Sequence, residues 1–96
     1  MIVDLVTYRV RTGKEQEFEA FSQDALRVLR KSKGFISQVL MKSLDDPAEY
    51  QAEVRWVNKD YRDRFTTRAD GDAATLKQKS ASILEQAPAH RLLEPV

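Results

Sequence analysis

Residues 43–67 read S-L-D-D-P-A-E-Y-Q-A-E-V-R-W-V-N-K-D-Y-R-D-R-F-T-T, and they hold a turn, a strand and the start of a helix. Asp45-Asp46-Pro47 breaks the chain, because Asp side chains bond nearby backbone amides and Pro fixes φ. Tyr50, Ala52, Val54 and Trp56 then alternate with Gln51, Glu53 and Arg55, the period of two of a half-buried strand. Asn58 is placed to cap the helix after this strand, in which Tyr61, Phe65 and Ala69 recur at helical spacing on one face.

Toward the N-terminus, the turn leads back to a strand over Phe35–Leu44, centred on Val39, Leu40 and Met41. So short a loop favours an antiparallel hairpin. Before that strand, Thr12 with Glu15 three residues later reads as a capping box. Phe18, Phe21, Ala25, Val28 and Leu29 then form an apolar stripe at helical spacing. Glu15, Glu17 and Glu19 lie at the front of this helix and Arg27, Arg30, Lys31 and Lys33 at its back, which complements its dipole as a solvated helix end. Gly34 suits a left-handed stop. Met1–Arg11 reads as a strand, with Ile2, Val6, Tyr8 and Val10 on one side and Val3, Leu5, Thr7 and Arg9 on the other.

Toward the C-terminus, the helix begun at Asn58 gives way near Asp70-Gly71-Asp72. Asp72 is expected to cap another helix that carries Ala73, Leu76, Ser80, Ile83, Leu84 and Ala87 inward until Pro88 stops it. His90–Pro95 then reads as a closing strand built on Leu92 and Leu93.

The order β-α-β-β-α-α-β predicts an α+β fold, a ferredoxin-like sandwich in which a four-stranded antiparallel sheet carries its helices on one face, as a single domain over residues 1–96. The first strand is apolar on both sides, so the helix-free face also needs a cover. A closed homodimer, with the two sheets packed together, is the expected solution.

Sixteen basic against fifteen acidic residues leave none of the basic surplus of a nucleic-acid binder. No apolar run approaches the roughly 20 residues of a membrane span, and the start lacks a signal-peptide layout. Neither nucleic acid nor membrane is expected as a partner. The absence of Cys fits a reducing, cytoplasmic setting. A single His, without Cys or a paired-ligand spacing, makes no metal site, and no glycine-rich loop cradles phosphates.

Four stretches carry a family resemblance: T-G-K-E-Q-E-F over 12–18, K-G-F-I-S-Q-V-L over 33–40, S-L-D-D-P-A-E-Y over 43–50 and E-V-R-W-V-N-K-D-Y over 53–61. In this order and spacing they resemble the antibiotic-biosynthesis-monooxygenase family of dimeric α/β barrels. The resemblance implies a pocket in each subunit, between sheet and helices, that holds flat and often aromatic compounds. It also implies that Trp56 lies beside this pocket, where an indole stacks on a flat ligand or simply seals strand to helix. Tyr8, Tyr50, Phe65 and Met41 are the other expected lining residues, and packing is the plainer role for each. His90 is the only histidine, the residue type that can exchange protons near neutrality, but its place at a strand start suggests exposure before catalysis.

Haem-degrading members of the family pair the Trp with a His in the following helix and an Asn on the first strand. This chain has Arg64-Phe65-Thr66 and Val6-Thr7-Tyr8 there, so haem degradation is not implied. Trp56, Tyr61 and Arg64 offer a loose match to the polar pocket groups of the quinone-forming oxygenases. The resemblance therefore implies a monooxygenase that needs no cofactor and acts on a small aromatic or quinone-type compound, with no residue yet assigned the chemical step. The alternative is a non-catalytic small-molecule-binding or structural dimer of the same fold.

Overall fold

The computed structural model describes residues 1–68 and 71–96, so the helical position expected of Ala69 and the break expected at Asp70 lie outside the described residues. The elements are β1 (Ile2–Arg9), α1 (Glu15–Arg30), β2 (Phe35–Lys42), β3 (Glu49–Trp56), α2 (Lys59–Thr67), α3 (Asp72–Ser80) and β4 (Ala89–Leu93). The strands form one sheet in the order β2-β3-β1-β4, with every neighbouring pair antiparallel. This is the ferredoxin-like α+β arrangement expected from the element order.

The hairpin turn closes through its own side chains. Ser43 Oγ accepts from the amides of Asp45 and Asp46, and Asp46 Oδ1 accepts from the Ala48 amide at 3.0 Å. Arg9 Nη1 donates to Asp46 Oδ2 at 2.7 Å, which ties the turn to the end of β1. Along β3, Tyr50, Ala52, Val54 and Trp56 are buried while the residues between them are half-buried. Asn58 caps α2, its Oδ1 accepting from the Tyr61 amide at 3.1 Å.

The core lies between the sheet and the helices in two clusters. Val6, Leu29, Ala52, Val54 and Trp56 form one; Val10, Phe18, Tyr50, Ile83 and Leu84 form the other. Phe18 wedges between Tyr8 and Tyr50, with ring centroids 5.0 and 4.8 Å away, the tilted spacing that aromatic quadrupoles prefer.

Several local expectations are corrected. Thr12 does not cap α1: the helix starts at Glu15 with Lys14 at the N-cap and no side-chain cap bond. Thr12 instead sits in a turn closed by the Lys14 amide on Arg11 O at 3.0 Å, with Gly13 at φ 85°, a backbone position that favours glycine. Gly34 is left-handed, at φ 87°, but α1 has already ended at Arg30. Asp72 is the first residue of α3, and Gly71 holds the N-cap position.

The largest difference concerns the end of α3, which stops at Ser80 and not before Pro88. Ile83 and Leu84 are buried as expected, but outside any helix. Val10 bridges Leu84, the Arg11 amide donates to Ile83 O at 2.9 Å, and the Glu85 amide donates to Arg9 O at 2.9 Å. Pairing with the end of β1 displaces the helix. Ser80 favours the stop, since its Oγ bonds Lys77 O at 3.1 Å.

No described element covers the other face of the sheet. A β-bulge between Phe35 and Ser37 sets the phase of β2, so Val39 and Met41 pair with Glu53 and Gln51 on that open side. Val39 is 52% exposed, and Met41 and Leu93 are also exposed. Val3 and Leu5 of β1 lie among them, opposite Arg55 and Glu53 of β3. Arg55 Nε donates to Glu53 Oε1 at 2.9 Å, a pair within the one strand. Among the described residues no helix is long and apolar enough to cross a membrane.

Candidate functional site

A cavity of about 380 Å³ lies between the helix-facing side of the sheet and the helices. Its floor is the inward face of β1 and β3, at Asp4, Val6, Tyr8, Val54 and Trp56; Phe21, Ala25 and Leu29 of α1 and Leu76 and Lys77 of α3 form walls. Phe65 of α2 and His90 of β4 also border it. The alternation of β1 and β3 thus puts alternate side chains of both strands against one space.

Trp56 is 2% exposed and borders the cavity. Phe35 meets it edge-on at 5.9 Å and Phe65 lies tilted at 5.5 Å, so its ring is fixed by neighbours on two sides. Tyr8 faces the same space. Burial, together with the nearby Asp4 charge, pushes its phenol up to about 12, so it stays a neutral hydroxyl at physiological pH.

Tyr8, Trp56 and Phe65 are therefore brought together, and two expected lining residues are not. Tyr50 points to the same side of the sheet but lies under Phe18, where its hydroxyl donates to Glu19 Oε2 at 2.6 Å. Burial, then the Glu19 hydrogen bond and charge, push its phenol up to about 12. Met41 stands on the open face of the sheet, because the bulge in β2 shifts its phase. Tyr61 and Arg64 do not border the cavity; the Arg64 guanidinium lies over the Tyr61 ring at 5.5 Å.

The polar end of the cavity is built by residues far apart in sequence. Asp4 is 3% exposed. His90 Nδ1 lies 3.0 Å from Asp4 Oδ1 and 3.1 Å from Oδ2, and Arg62 Nε donates to Oδ2 at 3.0 Å. Burial by itself raises the Asp4 carboxyl, but hydrogen bonds and charge from His90 and Arg62 outweigh it and hold the group below the usual range. Arg62 also donates to Asp63 Oδ1 at 3.2 Å. Among the described residues no group of three or more acidic or imidazole side chains is placed to hold a metal ion.

Asp4 and Arg62 escaped sequence reasoning. A usable signal existed for Asp4, which shares the inward side of β1 with Ile2, Val6 and Tyr8. A carboxylate there needs partners. Nothing in the sequence marks Arg62 among its charged neighbours in α2. His90 proves half-exposed, its side chain 40% accessible, yet tied to a buried acid.

Fold and cavity together define a ferredoxin-like α+β domain with an aromatic-lined, helix-side chamber. The profile of the antibiotic biosynthesis monooxygenase family matches residues 1–76, and the chain belongs to that family. A provisionally assigned antibiotic biosynthesis monooxygenase from Bordetella bronchiseptica superposes with TM-score 0.89 at 22% identity, over 99% of this chain and 96% of that one. A similarly assigned protein from Nitrosomonas europaea gives 0.85 at 16% identity, over 100% and 99%. SnoaB, a cofactor-independent oxygenase from Streptomyces nogalater, gives 0.85 at 16% identity, over 99% and 92%. No functionally curated protein matches the chain. At these identities the structural likeness speaks for the fold.

Proposed function

We propose that this protein is a cofactor-independent monooxygenase that converts a small electron-rich aromatic to a quinone-type product, working as a homodimer. The observation that carries the proposal is the cavity of about 380 Å³ that has Tyr8, Trp56 and Phe65 on its border and a buried, ion-paired carboxylate at one end. A chamber filled by its own side chains would leave less than the roughly 300 Å³ at the lower end for small-molecule sites. Flat aromatic rings suit a planar ligand, and a single polar end fixes its orientation.

The chemistry balances without an added reductant. A phenol plus dioxygen gives a quinone plus water. One oxygen atom replaces hydrogen on a ring carbon, the substrate supplies all the electrons, and the second oxygen atom leaves as water. The protein's task is to hold the substrate, exclude bulk water and favour its anion.

The test is oxygen uptake with a panel of planar phenols and hydroquinones, run beside thermal shift. We expect at least one compound both to raise the melting temperature and to be consumed faster with protein than without. Stabilisation without consumption would identify a binding protein, and neither effect from any compound would end the proposal. Trp56→Ala is expected to abolish consumption and to cost about 3–5 kcal/mol of stability, since the ring is buried.

A further inference from the structure

The contact between Asp4 and His90 fixes the chemistry of the imidazole. An ionised carboxylate only accepts hydrogen bonds. Asp4 therefore requires a proton on His90 Nδ1, which lies 3.0 and 3.1 Å from its two oxygens. In the neutral ring the lone pair then belongs to Nε2. Arg62 Nη2 approaches the same Nδ1 at 3.3 Å. Two donors do not bond each other, so this approach records both converging on one acid. The ring is held by β1 through Asp4 and borders the same cavity as Tyr8 and Trp56.

We propose that His90 Nε2 is the base that removes the phenolic proton of a substrate bound in this cavity, with Asp4 and Arg62 as positioning residues. Resting on the reading that the cavity takes a planar phenol, this places the reacting hydroxyl at the His90 end. In the step, the substrate O–H bond breaks and an N–H bond forms at Nε2. The phenolate stays beside the imidazolium, whose charge Asp4 stabilises. On oxygenation the proton returns from Nε2, and with the displaced ring hydrogen it leaves in the water molecule. Electron supply from an aromatic to dioxygen is easier from the phenolate, so the base acts where the barrier is set. Tyr8 does not compete for this role, since its hydroxyl remains protonated up to about 12.

Other charged and titratable groups surround the same end. They are Asp4 and Tyr8 from β1, Arg62 from α2 with Asp63 behind it, and Lys77 from α3. Both Asp4 oxygens lie nearer His90 Nδ1 than Arg62 Nη2 does, at 3.0 and 3.1 Å against 3.3 Å.

The test uses alizarin, a planar dihydroxyanthraquinone that turns from yellow to red when a phenolic proton leaves. The full chain is titrated with the dye at a pH where the free dye is yellow. Quenching of Trp56 fluorescence reports binding independently of colour. We expect red bound dye with the wild type. With His90→Gln, at retained quenching, the red fraction falls about tenfold or more, equivalent to one unit of phenol pKa. Asp4→Asn should also leave the dye yellow, because an amide donor at Nδ1 moves the ring proton to Nε2. His90→Gln changes a half-exposed side chain and is the decisive variant if Asp4→Asn does not fold. Yellow dye bound to the wild type would remove His90 as base while leaving the cavity reading intact. Red dye in His90→Gln would assign the deprotonation elsewhere. No quenching in the wild type would overturn the cavity reading itself, and this inference with it.

Discussion

Asp4 and His90 stand 86 positions apart in the sequence, and their side chains meet at 3.0 Å at the polar end of the cavity. The contact reinforces the junction of the last strand with the first, since among the described residues β4 is an edge strand paired to β1. Arg62 brings α2 to the same carboxylate at 3.0 Å. One acid therefore gathers β1, α2 and β4 at the polar end of the cavity.

Removing that charge should be expensive. The Asp4 side chain is 5% accessible and that of Arg62 15%, so Asp4→Ala leaves a guanidinium in a largely dry place with Asp63, 3.2 Å away, as its remaining acidic partner. Breaking a buried pair from one side costs about 3–5 kcal/mol. The acid dependence is set by the sign of the shift. Asp4 is held below its ordinary value when folded, so its contribution is present above the unfolded carboxylate pKa of about 3.9 and is lost as pH falls through the folded one. Urea melts of wild type and Asp4→Ala should differ fully at pH 7 and draw together only as pH falls below the ordinary carboxylate range. A gap that persists unchanged into acid would mean that packing and not charge is lost.

Gly34 and Tyr61 form a second obligatory contact. A Cβ on Gly34 would clash with Tyr61 Cγ, on a backbone already at φ 87°. Gly34→Ala combines a left-handed penalty of about 1–2 kcal/mol with an overpacking cost of about 1–3 kcal/mol. In a Tyr61→Ala background the clash with the ring is gone and the backbone part should dominate. A double-mutant cycle by urea denaturation measures the difference, and simple additivity would clear Tyr61 of the clash.

The hairpin, the cap at Asn58 and the inward set of β3 were legible because each is decided by near neighbours in sequence. The end of α3 was not, since Ile83 and Leu84 fit a helical stripe as well as a non-helical segment, and only pairing with Val10, Arg11 and Arg9 decides between them. Strand period fixes a side chain's face but not what the helices lay over it. Tyr50 shares a face with Trp56 and pairs with Tyr8, which borders the cavity, yet Phe18 of α1 packs over the Tyr50 ring. Met41 depended on a single extra residue, the bulge at Phe35–Ser37, that reverses the phase of everything after it. Asp4 was visible as an inward acid, but its partners came from segments 58 and 86 positions away.

The open face of the sheet supports a last prediction. Val39, Met41 and Leu93 are exposed there beside Val3 and Leu5. A stable interface hides about 800 Å² on each partner, and one sheet face is the broad, flat surface that supplies such an area. Two copies related by a two-fold axis would bury the same residues on each side. Val39→Glu then places a carboxylate from each copy in the contact. Burying it unpaired costs several kcal/mol, and each 1.4 kcal/mol weakens association about tenfold. Sedimentation of the wild type should give twice the chain mass, and Val39→Glu should shift the equilibrium toward the single chain with its circular dichroism unchanged. A wild type that sediments as one chain at micromolar concentration, or a Val39→Glu dimer as tight as the wild type, would place the contact elsewhere or remove it.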